Sequence, residues 1–571
     1  MKLSKRANLL GALVAVLLAG CAAPQAARTT QGDGAQAPAP SAPKRVTAAI
    51  LGDPFALSYQ ISSAGAFTPP GSEALEEMVH TGLTTLDRGG ALVPRLAEAV
   101  PTVESGLWKV LPDGRMETTW KIRSNAQWHD GRPVTADDLV FTSRVVQDRE
   151  VGVFRDRAYE NLEGVDAVDA QTVTARWKAP FIGADALFSP TLGMPQPKHI
   201  LEQSYTDNKT GYSELPHWST EFVGAGPYKL KSWERGSHLI VEANDRYVLG
   251  RPKIDEVEVR FISDSNALVA NVLAGAADFM IGRGLSVEQA IQVQERWREG
   301  RVESAPYTWI QLWPQFLTPN PQVVTDAQFR KALLHAMDRE EMATTLMAGL
   351  TSVSHSYLSP NEPDFADVES SVVKYEFDQR RAMQLIEGLG YSRGADGGYV
   401  DSAGRKLSVE IRANAGDDLR QKLLFSIADY WQKTGIGVEP NVVPTQRLSD
   451  VEWVTSFPGF QLTQRPNQLR ALSNLHSAQS PRPETNYTGS NISRYSNPDF
   501  DAQIDRYYVT ISRPDRIRIA NQVINFMTDQ VLLLGLFYTI EPILVNNRIV
   551  NVMPRMSRGT HAWNAHEWDV R

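Results

Sequence analysis

The chain has 571 residues with 66 acidic and 58 basic side chains, a formal charge of −8 and a single cysteine. That balance argues against a nucleic-acid partner, which would favour a clustered basic surface. One thiol excludes an internal disulfide and any multi-cysteine metal site, so stability has to come from a large core, and the length suggests more than one lobe.

The chain opens with Lys2, Lys5 and Arg6, then the apolar run 9–20 (LLGALVAVLLAG), then Cys21. A charged start, a short apolar run and small residues before a cut are the parts of a secretory signal peptide, here 1–20. At about 1.5 Å per residue the run is too short to span a bilayer. Leu18-Ala19-Gly20-Cys21 looks like the bacterial lipobox, which implies cleavage before Cys21 and lipid attachment to its thiol. The plainer alternative is a secreted protein with an incidental cysteine. Losing the three cations takes the charge from −8 to −11. Residues 21–44 are mostly Ala, Pro, Gly, Gln and Ser and read as a flexible tether, with order expected from about Val46.

Beyond the tether, strand and helix patterns alternate without a short repeat, which predicts α/β lobes. Residues 119–141 (TWKIRSNAQWHDGRPVTADDLVF) read as a strand, a turn at Asp130-Gly131 and a helix opened by Thr135, with Asp138 at capping-box spacing. Residues 224–278 read as a hairpin around Arg235-Gly236, a further strand and a helix. Gly224-Ala225-Gly226 precedes Pro227 and a strand, so it is no phosphate cradle. Trp309 and Trp313 are four apart and share one face of a strand, as either an aromatic cleft wall or packed core. Four stripes predict amphipathic helices: Phe329, Ala332, Leu333, Ala336 and Met337; Ala382, Leu385, Ile386 and Leu389; Leu424, Ile427, Ala428 and Trp431; Ala520, Val523, Ile524 and Met527. Gly390 and Gly435 close two of them. Residues 531–538 (VLLLGLFY) read as a buried strand, too short for a membrane span.

Residues 119–141, 224–278 and 326–349 (DAQFRKALLHAMDREEMATTLMAG), with 377–391 and 493–504, together resemble family 5 of the bacterial extracellular solute-binding proteins. The resemblance runs with gaps from about Val46 to the C-terminus. It implies an α/β, two-lobed periplasmic-binding-protein clamp, type II and cluster C-like, with an extra domain in the first lobe. By analogy, 45–82, 219–304 and 535–571 form lobe I, 83–218 the extra domain and 305–534 lobe II. The hinge would lie near 304–307 and 534–537. The implied role is capture of an oligopeptide-like or other small organic solute for the permease of an ABC transporter. The protein would be an extracytoplasmic, periplasmic monomer held at the membrane by its lipid, with no cofactor, metal or nucleic acid.

Family position also suggests ligand contacts: Phe67 in the loop 62–71, Trp309 and Trp313 in 307–316, Trp453, Phe457, Phe460 and Arg465 in a loop 453–469, and Tyr159 in the extra domain. Peptide binders of the family usually carry an aspartate in that later loop to pair with the ligand's ammonium group. Here no Asp or Glu occurs between Glu452 and Glu484, and the charged side chains are Arg465, Arg470 and Arg482, with His476 nearby. A buried ammonium without a counter-charge is expensive. Either another segment supplies the acid, or the solute is anionic or blocked and meets an arginine fork such as that of Arg465. An oligosaccharide stacked on tryptophans is the other solute class. An enzyme finds no support in a G-x-S-x-G elbow, a P-loop, an H-E-x-x-H pair or a dinucleotide fingerprint. A structural lipoprotein that has lost transport is the third class.

Overall fold

Ten short runs of alternating apolar residues join into one sheet. They are β1 (Arg45–Ile50), β2 (Tyr228–Glu234), β3 (His238–Ala243), β4 (Glu256–Phe261), β5 (Phe279–Met280), β6 (Gly300–Pro314), β7 (Ser408–Asn414), β8 (Gly437–Val443), β9 (Phe460–Arg465) and β10 (Leu534–Asn546). Their order across the sheet is β8-β7-β9-β6-β10-β5-β1-β4-β3-β2. The computed structural model describes residues 42–62, 69–153, 156, 158–555 and 560–571; the leader, Cys21 and Phe67 lie outside them.

The long pair β6 and β10 carries the chain between two cores. It runs antiparallel from Gly300 opposite Asn546 to Leu312 opposite Leu534, with register shifts at Pro306/Thr308 and Ile310/Gln311. Ile543, Leu544 and Val545 of β10 belong to the core built on β1 and β4. Leu534, Leu536, Phe537 and Ile540 belong to the core built on β7 and β9. An irregularity in the ladder bends the sheet locally; one shift lies opposite Phe537 and Gly535 and the other opposite Ile540 and Thr539, at the edge of the second set. Beside it the Thr308 and Thr539 hydroxyls lie 2.7 Å apart, and Gln464 Nε2 donates to Thr308 Oγ1 at 2.8 Å.

Residues 108–177 carry a four-stranded antiparallel sheet, ordered Trp108–Val110, Met116–Lys121, Thr172–Trp177 and Leu162–Ala167, within the segment expected to form the extra domain. Trp120, Trp128, Trp177 and Phe188 fill its core. Helix Ala136–Gln147 serves two cores at once: Leu139 and Val146 face this one, and Phe141 and Val145 face the first-lobe core. Its start is built as the spacing predicts, with the Asp138 carboxylate accepting from the Thr135 backbone N–H at 2.8 Å and hydroxyl at 3.1 Å.

Gly224 and Gly226 are held for contact, not for ligand. A Cβ on Gly226 would stand 2.3 Å from backbone atoms of Val79 and His80. His80 and His129 clamp this turn: Ala225 N–H donates to His80 Nδ1 and Gly224 N–H to His129 Nδ1. Burial drives both imidazoles to low pKa, about 4 for His80 and about 3 for His129.

In the second lobe the four helical stripes appear in Ala327–His335 with the turn after it, Gln379–Gly388, Asp418–Thr434 and Arg513–Asp529. Gly435 takes φ 101° at a helix end, as expected of a glycine stop. The run 531–538 divides. Residues 531–533 approach the sheet under buried Arg330, whose Nε donates to the Val531 carbonyl, and β10 starts at Leu534.

Candidate solute cleft

In α/β sheets, ligand sites gather beyond the carboxyl ends of parallel strands. β7 runs parallel to both β8 and β9, and β1 parallel to both β4 and β5. The carboxyl ends are therefore Asn414, Val443 and Arg465 in one lobe, and Ile50, Phe261 and Met280 in the other. Just past β5, Arg283 reaches Glu73 at 3.6 Å and Glu541 of β10 at 3.7 Å, tying the first lobe to the crossing strand.

Arg465 ends β9 opposite Trp309. It is exposed, and among the described residues it makes no side-chain hydrogen bond or ion pair. Surrounding protein still desolvates its guanidinium and lowers its pKa, with the charge of Arg420 adding to the effect. Arg420 is itself paired with Asp417 at 2.8 Å, whereas Arg465 has no ion-pair partner among the described residues.

The aromatic candidates are placed differently. Trp309 and Trp313 do share one face of β6, but each is only 3 % accessible and packs with Tyr357, Phe457 and Tyr538. The Trp309 ring meets Tyr357 edge-on at 5.6 Å. Of the two readings left open, packed core describes them here. Residues 453–469 are not one loop: helix Val451–Thr455 is followed by β9. Phe457 lies in the Trp309 core, while Phe460 points through the opposite face onto Trp431, 5.3 Å away. Trp453 is half-buried, stacked between Arg412 at 3.9 Å and Arg447 at 4.1 Å. Tyr159 is buried in the extra domain and donates to the Leu192 carbonyl at 2.6 Å.

The acids that could serve an acid-poor stretch come from distant segments. Glu362 accepts from Gln468 Nε2 at 3.1 Å; burial raises its pKa, while Gln468 and Arg470 oppose the shift. In the first lobe and the extra domain, Glu76 and Asp156 border a cavity with Tyr59, Gln60 and Gly193. No local pattern announces these residues, because each reaches its neighbours only through folding. Away from the hinge, the Ile182 N–H donates to the Tyr508 carbonyl at 3.1 Å, and Lys422 pairs with Glu288 at 3.4 Å.

Glu76 is fully desolvated, which pushes its carboxyl up to about 8, with the charges of Glu77 and Glu73 adding to that. A raised carboxyl favours the fold fully below its unfolded value near 4.5 and loses that contribution as pH rises towards 8. The depressed histidines act oppositely: their contribution is present above about 6.5 and is lost as pH falls towards 4 and 3. Glu76→Gln is therefore expected to flatten only the alkaline limb of a Tm-against-pH curve. Parallel limbs for variant and parent between pH 5 and 8.5 would rule that assignment out.

Comparison with known proteins agrees with this architecture. The family model described as Bacterial extracellular solute-binding proteins, family 5 Middle, matches residues 91–494. The oligopeptide-binding protein AppA of Bacillus subtilis is 28 % identical over 394 residues, 67 % of this chain and 66 % of that relative, so just under two thirds of its length is matched. The oligopeptide-binding protein of Thermus thermophilus, solved with a pentapeptide, superposes with TM-score 0.66 at 23 % identity over 92 % of this chain and 96 % of that one. NikA of Brucella suis, solved with Fe(III)-EDTA, gives TM-score 0.74 at 17 % identity over 92 % and 100 %. The fold is that of a two-lobed periplasmic binding protein. The chain belongs to family 5 of the bacterial extracellular solute-binding proteins.

Proposed function

We propose that this protein is the extracytoplasmic substrate-binding lipoprotein of an ABC importer, capturing an oligopeptide-like solute between its lobes and delivering it to the permease. Family membership over residues 91–494 carries the reading. The paired crossing strands with a slip at Pro306/Thr308 support it, because a hinge confined to two strands lets lobes close on a ligand. Converting a mostly open population to a mostly closed one takes about 5.5 kcal/mol of preference for the closed form. Cys21 would carry the lipid and 22–44 the tether, keeping capture near the transporter as a monomer. In this reading 83–218 is the extra domain on lobe I, and Arg465 receives a carboxylate of the solute.

A second reading, an anionic non-peptide solute, is favoured by the same observation that Arg465 has no acid partner among the described residues. The polycarboxylate in the Brucella suis structure is consistent with it.

Native mass spectrometry of the protein extracted from membranes tests both halves. The expected result is a mature chain starting at an acylated Cys21 and carrying a ladder of peptide-mass adducts. One discrete non-peptide acid would select the second reading. An unacylated chain would remove the anchor, and a chain without adducts that binds no peptide on titration would overturn capture.

A further inference from the structure

Inside the second lobe, behind Trp309, lies a small cavity lined by Trp309, Arg339, Ser354, His355, Tyr357 and Gly535, among others. It has room for a single water-sized sphere. Arg339 is 5 % accessible, and its hydrogen bonds go only to neutral acceptors: the Gly535 carbonyl at 2.8 Å, the Tyr375 carbonyl at 2.5 Å, and, at 3.4 Å each, the Ser354 carbonyl and His355 Nδ1. Among the described residues no carboxylate lies within ion-pair distance of it, and only the more distant charges of Glu376 and Glu340 act on the buried guanidinium. Burial lowers the Arg339 pKa only to about 10, so the group stays charged at neutral pH.

Two lining residues add donors with no protein acceptor. Trp309 Nε1–H and the Ser354 hydroxyl are both fully enclosed and unpaired, in residues that are 3 % and 1 % accessible. His355 accepts from Arg339 at Nδ1, which places its proton on Nε2. Buried polar groups are paired in native proteins, and a buried charge is costly unless it is compensated. Buried Arg330 provides the contrast: its three bonds also end on backbone carbonyls, but it stacks on Phe316.

We propose that this cavity is a binding site for a small monovalent anion of halide size, chloride in saline surroundings, which accepts from Trp309 Nε1 and Ser354 Oγ and compensates Arg339. Such an ion would pin the start of β10 at Gly535 to the face of β6 at Trp309, stabilising the second lobe independently of the solute.

The test uses the purified protein with bromide and chloride as probes. Crystals soaked in sodium bromide are expected to show one anomalous peak within hydrogen-bond reach of Trp309 Nε1 and Ser354 Oγ. In solution, exchanging gluconate for chloride at constant ionic strength should raise Tm saturably, by about 2–4 °C. Arg339→Gln removes the charge but risks the fold through the lost carbonyl bonds. Trp309→Phe removes the indole donor along with part of the ring, so its response is read as the difference between the two salts, and it should weaken the apparent chloride affinity at least about tenfold. No anomalous peak, equal Tm in the two salts, or an undiminished chloride response in Trp309→Phe would each overturn the site and leave water as the partner of these donors.

Discussion

Arg555→Ala is expected to cost about 3–5 kcal/mol, the loss seen when one member of a buried ion pair is removed and the other is stranded. Arg555 and Glu77 are 4 % and 8 % accessible. Arg555 Nη2 donates to the two Glu77 carboxylate oxygens at 3.1 and 3.2 Å and to Thr85 Oγ1 at 3.0 Å, and its Nε donates to the Leu86 carbonyl. The Thr560 hydroxyl completes the set on Glu77 at 2.5 Å. The cluster ties helix Ser72–Val79 to the C-terminal segment, so its loss should lower the first calorimetric transition by on the order of 10 °C. A paired replacement, Glu77→Gln with Arg555→Met, should recover much of that loss, because no charge is then left without a partner. A single variant within 1 °C of the parent would show that solvent reaches this cluster after all.

Arg465→Ala is expected to weaken solute affinity by roughly 10–100-fold, the range of a hydrogen bond to a charged group. Tm should stay within about 1 °C, since the side chain has no bonded partner among the described residues to lose. Arg465→Lys should fall between, because an ammonium keeps the charge but not the planar fork. Isothermal titration with the solute identified by mass spectrometry gives the comparison. Unchanged affinity would place the solute's carboxylate elsewhere and leave the acid-free stretch without a role in recognition.

These two arginines also differ in how far they could be read from the chain. Arg465 stands out in the sequence, because it interrupts a long stretch without acids. Its isolation is structural: among the described residues no acid pairs with it, and Asp417 is taken by Arg420. Arg555 carries no local signal at all, since Glu77 lies 478 positions away. The tryptophans show the same limit. Spacing put Trp309 and Trp313 on one face of a strand, but only the packing of Tyr357, Phe457 and Tyr538 over that face made it core.

What the sequence determined alone rests on interactions between near neighbours. The four helical stripes follow from the 3.6-residue period, the Thr135–Asp138 start from capping geometry, the Gly435 stop from its freedom at positive φ, and the family from ordered local motifs. The tertiary structure decided what depends on burial and on segments far apart in the chain. It put a carboxyl of pKa about 8 at Glu76, and it split the expected loop so that Phe457 packs with Trp309 while Phe460, the first residue of β9, packs on Trp431. A side chain's neighbours set its exposure and charge state, and most of those neighbours meet it only once both lobes are assembled.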